Sequence, residues 1–359
     1  MVFYTFGNYN QQETYDKGFK KKISWDLPLL EGYNYQFVEN NATKPGHYFS
    51  GIRNPALINE IKKFKPDAVL IYGWAYESHL RIMRYFYKKI PIWFRGDSTT
   101  LDKEPWLKHL TKKTILTWVY RHVTLAFFVG TQNEKYFKSY GLKTEQLIFA
   151  PHAIDNDRFG QSRLSESLAL RKDLGLSSHD ILILFAGKFE EKKDPLILLN
   201  AFIELDQSNV HLLFVGNGAL EEKLKRTAFR QAQDDNGNKR VHFMDFQNQS
   251  KMPVIYQACN LLCLPSKGPG ETWGLAVNEA MAAGKAVLVS DKVGCAQNVV
   301  YDGKNGYIFQ ASDHQSLKEK LMLILDHDLD KLGGQSKEII KEWNFSNQVN
   351  AIIDALERK

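Results

Sequence analysis

The segment with the densest chemical potential is Gly268-Pro269-Gly270-Glu271-Thr272-Trp273-Gly274-Leu275-Ala276-Val277-Asn278-Glu279, which follows the apolar run Leu261–Leu264. Its glycines let a backbone pass close to a ligand. A helix predicted from Gly274 to Ala283 turns its unpaired N–H groups and positive dipole end toward whatever sits there, an arrangement that suits phosphate oxygens. Glu271 stands just before that helix and Glu279 about two turns into it, so the spacing directs both acids toward one ligand at different depths. A carboxylate beside a sugar accepts hydrogen bonds from vicinal hydroxyls. The competing reading is a glycine-rich turn in which Glu271 only complements the helix dipole.

The elements that must position this loop alternate. Ile181–Phe185, His211–Val215, Val241–Met244, Leu261–Leu264 and Ala286–Ser290 read as short buried strands, separated by helical segments such as Pro195–Leu205 and Val254–Ala258. That rhythm predicts a parallel sheet covered by helices on both faces. The first half has the same character with weaker signals: strands at Ala68–Tyr72, Ile90–Phe94 and Leu125–Val129, and helices at Pro55–Phe64 and Ser78–Lys88. Pro151–Phe159 has no regular period and marks the domain boundary. The expected organisation is an N-terminal domain over 1–152, a C-terminal domain over 153–340, and a last helix over 341–359 that packs back on the N-terminal domain. In such doubly wound domains, ligands gather where strand ends and helix N-termini converge.

With 359 residues, 43% hydrophobic and 25% charged, the chain has globular composition, which excludes disordered, collagen-like and disulfide-framework classes. It has no apolar run long enough to span a bilayer, and its start lacks the basic and apolar regions of a secretory signal. Three cysteines imply reduced, buried thiols and a cytoplasmic setting. Formal charge is +8 over residues 1–160 and −2 over 161–359. A one-sided basic excess points to an anionic partner. Within it, Pro105–Tyr120 mixes Lys with Trp and Leu at helical spacing. An anionic membrane surface and a core-facing helix with a solvated basic side are both open there.

Five elements in order resemble glycosyltransferase family 4, retaining nucleotide-sugar enzymes of the GT-B fold: Phe185-Ala186-Gly187-Lys188-Phe189-Glu190-Glu191-Lys192-Lys193-Asp194-Pro195, Gly216-Asn217-Gly218-Ala219-Leu220, Phe246-Gln247-Asn248, the E-x7-E pattern of Glu271 and Glu279, and Gly284-Lys285-Ala286 through Gly303-Lys304-Asn305-Gly306. The resemblance covers about residues 125–325 well and the remainder loosely. It implies two Rossmann-like domains facing across a cleft. It also implies that Glu271 holds hydroxyls of the donor sugar and Glu279 those of the ribose. Lys188 and Lys193 would bind the diphosphate and stabilise the charge that develops as the glycosidic bond breaks. Spacing from Gly187 favours Lys193 over Lys192. Gly187, Gly216, Gln247, Gly270 and Thr272 would complete the donor site, with the backbone of Gly274 and Leu275 cradling phosphates and Trp273 packing beneath the loop. No cofactor and no metal are implied. UDP is the expected carrier, a UDP-hexose such as UDP-glucose the expected donor, and a saccharide or lipid-linked acceptor in polysaccharide assembly the expected setting, at the inner face of the membrane.

The acceptor side departs from the family pattern. Pro91-Ile92-Trp93-Phe94-Arg95-Gly96-Asp97-Ser98 contains no histidine, so Arg95 and Asp97 become candidates, with Trp74 as an aromatic platform for a sugar ring. The family's first strand, glycine loop and first helix normally precede a strand like Val2–Thr5, so the N-terminal domain is expected to lack them. Asp155-Asn156-Asp157 has the D-x-D pattern of metal sites but falls in the linker, and Cys259 and Cys263 lack zinc-site spacing. Two rival readings follow: an epimerase or phosphorylase on the same architecture, and a non-catalytic basic protein that binds membranes or polyanions. No nucleic-acid-binding motif is present.

Overall fold

The computed structural model describes residues 1–6, 14–102, 104–205, 207–234 and 240–357. The chain forms two compact units, one of residues 1–14, 27–150 and 349–359, the other of residues 15–26 and 151–348.

In chain order the strands of the first half are β1 (Val2–Tyr4), β2 (Thr14–Asp16), β3 (Lys21–Ile23), β4 (Tyr35–Phe37), β5 (Val69–Tyr72), β6 (Ile92–Arg95), β7 (Leu125–Phe128) and β8 (Leu147–Phe149). The first unit is built on a parallel sheet in the order β5-β6-β7-β8. A small parallel pair, β1 with β4, accompanies it. The helix Leu57–Phe64 ends at Lys65, which takes a left-handed conformation as its C-cap, and the helix Glu77–Phe86 buries Ile82, Met83 and Phe86. From Val349 on, the last helix belongs to this unit, where Ala355 is buried with Trp93, Phe127 and Ala150.

The second unit carries β9 (Ile181–Ala186), β10 (Val210–Val215), β11 (Val241–Met244), β12 (Leu261–Leu264), β13 (Ala286–Ser290) and β14 (Gly306–Phe309). They form one parallel sheet in the order β11-β10-β9-β12-β13-β14. Every residue of β10, β12 and β13 is buried, because helices cover both faces of the sheet. The sheet core includes Phe185, Phe202, Phe214, Leu261, Cys263 and Leu288, and each of its Phe and Leu side chains contributes roughly 1.5–3 kcal/mol on burial. The strand order has a consequence for function. Counted from β9, it runs 3-2-1-4-5-6, so the direction of winding reverses between β9 and β12. From the carboxyl ends of those two neighbouring strands the connections run on to opposite sides of the sheet, and the strand ends between them are the place where doubly wound sheets take their ligands.

The two strands β2 and β3 pair with each other in a two-stranded sheet that carries residues 15–26 of the second unit. The linker expectation at Pro151–Phe159 is corrected locally. Residues Asn156–Gly160 are helical, because the Asp155 carboxylate accepts a hydrogen bond from the Arg158 N–H at 3.0 Å and caps the helix. The D-x-D pattern is thus a helix start.

Candidate active site

The loop after β9 and the loop after β12 meet at this reversal. The first begins at Gly187 and carries Lys188, then a short 3-10 turn over Glu191–Lys193. The second runs from Pro265 to Gly274 and opens the helix Leu275–Ala282. They are joined by an ion pair: Lys193 Nζ lies 2.5 Å from Glu271 Oε2, with side-chain exposures of 18% and 9%. Ser266 Oγ donates to the same carboxylate oxygen at 2.8 Å. Lys192 pairs instead with Glu190, so Lys193 is the lysine of this turn that faces Glu271.

Glycine at two positions is required by space. A Cβ at Gly216, the residue after β10, would lie 2.0 Å from the Gly187 carbonyl oxygen, so the two strand ends could not approach as they do. At Gly274 the backbone is left-handed, with φ +93°, and a Cβ would come within 2.8 Å of Val293 Cγ1. The close packing of this loop is also held from below. Trp273 is buried, and its indole Nε1 donates to Asn278 Oδ1 at 2.9 Å, while Asn278 Nδ2 donates to the carbonyl of His152 at 2.9 Å. Trp273 therefore supports the loop. Gly294 N donates to the Glu271 carbonyl at 3.1 Å and ties the loop to the turn after β13.

Glu279 sits further down the helix, where Tyr256 donates its hydroxyl to Oε2 at 2.7 Å. Part of the side chain opens onto a cavity, but dense protein surrounds the carboxyl. Desolvation raises its pKa to about 7, against the Tyr256 hydrogen bond and the Arg158 charge, which pull it down. The cavity is about 150 Å³ and is lined by Gly187, Gly216, Gln247, Tyr256 and Glu279 with the aromatic rings of Phe19, Trp25 and Phe246. Most of that lining is apolar, and the Glu279 carboxylate and Gln247 amide are among its polar groups. Gln247 Nε2 donates to the Asp245 carbonyl at 3.1 Å, which holds the loop at the rim. Lys188 pairs with Asp16 at 3.0 Å.

The structure thus brings Gly187, Gly216, Gln247 and Glu279 around one cavity and joins Lys193 to Glu271 in the neighbouring loop. Leu275 opens the helix and is 37% exposed. Gly270 and Thr272 belong to the Glu271 loop, with Gly270 left-handed at φ +88°. Sequence reasoning missed Ser266, Tyr256, Asn278 and all of residues 15–26. Tyr256 was legible only as one more apolar position of a short helix.

The acceptor-side candidates lie in the first unit. Gly73-Trp74 follows β5 and Gly96-Asp97 follows β6, and Gly73 N donates to the Arg95 carbonyl at 2.9 Å, so Trp74 and Asp97 emerge from adjacent strand ends. Trp74 packs against the unit's core. Arg95 is 5% exposed and donates Nη1 to the carbonyl of Ala150 at 3.0 Å. Burial lowers its pKa, while Tyr72 and Asp97 act the other way. The three cysteines are free and buried, and burial pushes the Cys259 thiol up to about 12. Among the described residues no group of three His, Cys, Asp or Glu is placed to hold a metal, and no helix is long and apolar enough to cross a membrane.

Residues 167–342 match the family described as glycosyl transferases group 1. This region is a group 1 glycosyltransferase domain. It resembles D-inositol 3-phosphate glycosyltransferase of Corynebacterium efficiens, at 27% identity over 180 residues, covering 49% of this chain and 42% of that protein. Phosphatidyl-myo-inositol mannosyltransferase of Mycobacterium leprae is similar over the same length at 27% identity, covering 49% of this chain and 46% of that protein. The matched part spans less than half the length of these curated relatives. A crystal structure of Anabaena HepE in complex with UDP and glucose superposes with a TM-score of 0.69 at 18% identity, covering 90% of this chain and 86% of that one. That likeness shows the GT-B fold.

Proposed function

We propose that the protein transfers a hexosyl group from a nucleoside diphosphate sugar to an acceptor hydroxyl, with retention at the anomeric carbon. The observation that carries this reading is the Lys193–Glu271 pair, held at the winding reversal beside the cavity that contains Glu279. Glu279 takes the ribose hydroxyls. Glu271 takes hydroxyls of the sugar. Lys188 and Lys193, with the N-terminus of the helix Leu275–Ala282, meet the diphosphate. As the glycosidic bond lengthens, negative charge grows on the leaving phosphate oxygen, and fixed cations stabilise it more in the transition state than in the ground state. Because ammonium groups supply that charge, transfer is expected to persist in a metal chelator.

UDP is the preferred carrier in this reading, since the Anabaena HepE structure, which shares the fold, was crystallised with UDP and glucose. A lipid-linked acceptor at an anionic membrane surface is favoured by the helix Trp106–Tyr120. Its first part leaves Trp106, Leu107, Leu110 and Ile115 exposed beside Lys108 and Lys113, so apolar and basic groups share one solvent-facing stretch.

The test is a thermal-shift titration with UDP, GDP and ADP, with Glu279→Ala alongside. UDP is expected to raise Tm by mass action, and the variant to lose most of the shift. Release of UDP from a UDP-hexose in the presence of an acceptor then separates transfer from epimerisation. No shift with any nucleotide, or an equal shift in the variant, removes the reading. Salt-dependent binding to polyanions without nucleotide preference would favour the non-catalytic alternative.

A further inference from the structure

Residues 15–26 lie on the candidate donor cavity, and nothing in the group 1 region, which starts at residue 167, accounts for them. They are tied down along their length. Lys21 Nζ meets Asp245 Oδ2 at 2.5 Å, Asn248 Nδ2 donates to the Ser24 carbonyl at 2.5 Å, and Ser250 N donates to Asp26 at 3.2 Å. These anchors all fall in 245–250, the loop that rims the cavity. Two aromatic rings come with the segment. Phe19 meets Phe246 with centroids 4.8 Å apart at 60°, and Trp25 meets the same ring at 6.3 Å and 74°. All three rings line the cavity whose other wall is Gly187 and Gly216 and which also includes Glu279. Trp25 nevertheless remains 47% exposed, so its ring is not consumed by the core. At the Lys188 side, Asp16 accepts from Lys188 Nζ, and its carboxylate is held by the N–H groups of Gly18 and Phe19 at 2.8 and 3.1 Å. Lys188 Nζ lies 5.1 Å from the Phe19 ring centroid.

We propose that residues 15–26 are a strap belonging to the donor site: Phe19 and Trp25, with Phe246, form the wall against which the nucleobase stacks, and Asp16 holds the Lys188 ammonium until a diphosphate takes its place. The proposal rests on the donor reading above and adds the groups that recognise its base. The chemistry is consistent along the cavity. Flat apolar faces bind a base, a carboxylate binds ribose hydroxyls, and a cation paired with a single carboxylate becomes available to an anion of higher charge. Base–aromatic stacking contributes through every π-face, so the wall favours bases generally.

Binding of UDP, uridine and inorganic pyrophosphate, measured by calorimetry on the full chain, separates the parts. Phe19→Ala and Trp25→Ala are expected to weaken UDP and uridine alike by about fivefold or more each and to leave pyrophosphate unchanged. Trp25→Phe is expected to restore most of the loss. Asp16→Asn is expected to tighten UDP and pyrophosphate by about two- to fivefold and to leave uridine unchanged. Circular dichroism of each variant confirms that the fold is kept. Unchanged uridine affinity in both aromatic variants, with Glu279→Ala still weakening it, overturns the wall. Asp16→Asn that fails to tighten pyrophosphate overturns the role of Asp16. If the wild type binds neither UDP nor GDP, the donor reading itself fails and the strap fails with it.

Discussion

The strand ends of the two sheets treat their charged residues in opposite ways. In the second unit, Lys193 and Glu271 leave the ends of β9 and β12 and meet across the winding reversal, with Ser266 as a third partner. In the first unit, Arg95 closes β6 but turns its guanidinium into the protein and binds the carbonyl of Ala150. His79, in the helix Glu77–Phe86 that follows β5, also turns one ring nitrogen to a backbone carbonyl. The Gly73 carbonyl can only accept, so Nδ1 is the donor there at 2.9 Å, and Nε2 faces Thr5 Oγ1 at 3.1 Å. Burial lowers the His79 pKa and keeps the ring neutral, which fits that tautomer. The difference follows from topology. The first sheet runs β5-β6-β7-β8 in sequence, with no reversal of winding among its four strands, and Arg95 at the end of β6 is turned to a backbone carbonyl. The second sheet reverses, and its polar groups are left facing a crevice.

The sharpest way to break this comparison is at Lys193. Lys193→Ala removes a preorganised cation from the developing charge and leaves Glu271, only 9% exposed, without its ion partner. The expected loss in kcat is about 100- to 1,000-fold, the scale for removing one preorganised donor from an oxyanion. Lys192→Ala, on the exposed side of the same turn, is expected to change kcat less than threefold, or about 0.6 kcal/mol. Steady-state release of UDP from a UDP-hexose measures both. Equal losses in the two variants would mean that the pairing with Glu271 has no bearing on the reaction.

A second prediction concerns pH. The Glu279 pKa is raised to about 7 from an ordinary 4.5, so between those values the folded protein holds a proton that the unfolded chain has released. Stability therefore falls as pH rises from 4.5 through 7, by at most about 3 kcal/mol. Glu279→Gln stays neutral and should lack this slope. The difference in unfolding free energy between variant and wild type, from urea titrations at pH 5 and pH 8, should shift in favour of the variant at pH 8. Nucleotide binding should run the other way in the wild type. A carboxylate accepts two ribose hydroxyls better than a carboxylic acid does, so UDP affinity should rise through pH 7. An affinity independent of pH over that range would place the ribose away from Glu279.

Much of the second unit was legible in the sequence because its strands are buried on both faces. Ile181–Ala186 and Leu261–Leu264 read as unbroken apolar runs, and the glycines that punctuate them mark loops that must pass close to other backbone. The positions of Glu271 before a helix start and Glu279 within that helix were legible from the glycines that precede it. The first unit was harder. Its strands β1 and β4 are three residues long, too short for any period to register. Arg95 looked like a loop residue because it adjoins Gly96, yet it closes β6 with its side chain inward. The strap was illegible for a different reason. Asp16, Phe19 and Trp25 acquire meaning only from contacts with residues more than 170 positions away, Lys188 and Phe246, and no local pattern encodes such contacts.

The smallest effect tests the other side of the comparison. If Arg95 serves the fold, its loss should register in stability and leave donor binding alone. Arg95→Met fills a similar volume with an apolar chain. It removes the donor to Ala150 and leaves that buried carbonyl short of a partner, a cost of about 1–3 kcal/mol. Relief from burying a guanidinium offsets part of it, so a net loss nearer 1 kcal/mol is expected. Arg95→Lys keeps a donor but not its planar reach, and should fall between the two. UDP affinity should stay within twofold in both variants. Urea unfolding and calorimetry read the two quantities independently. A drop in UDP affinity with unchanged stability would move Arg95 from the fold to the ligand, and with it would go the contrast between a sheet that buries its end charges and one that presents them.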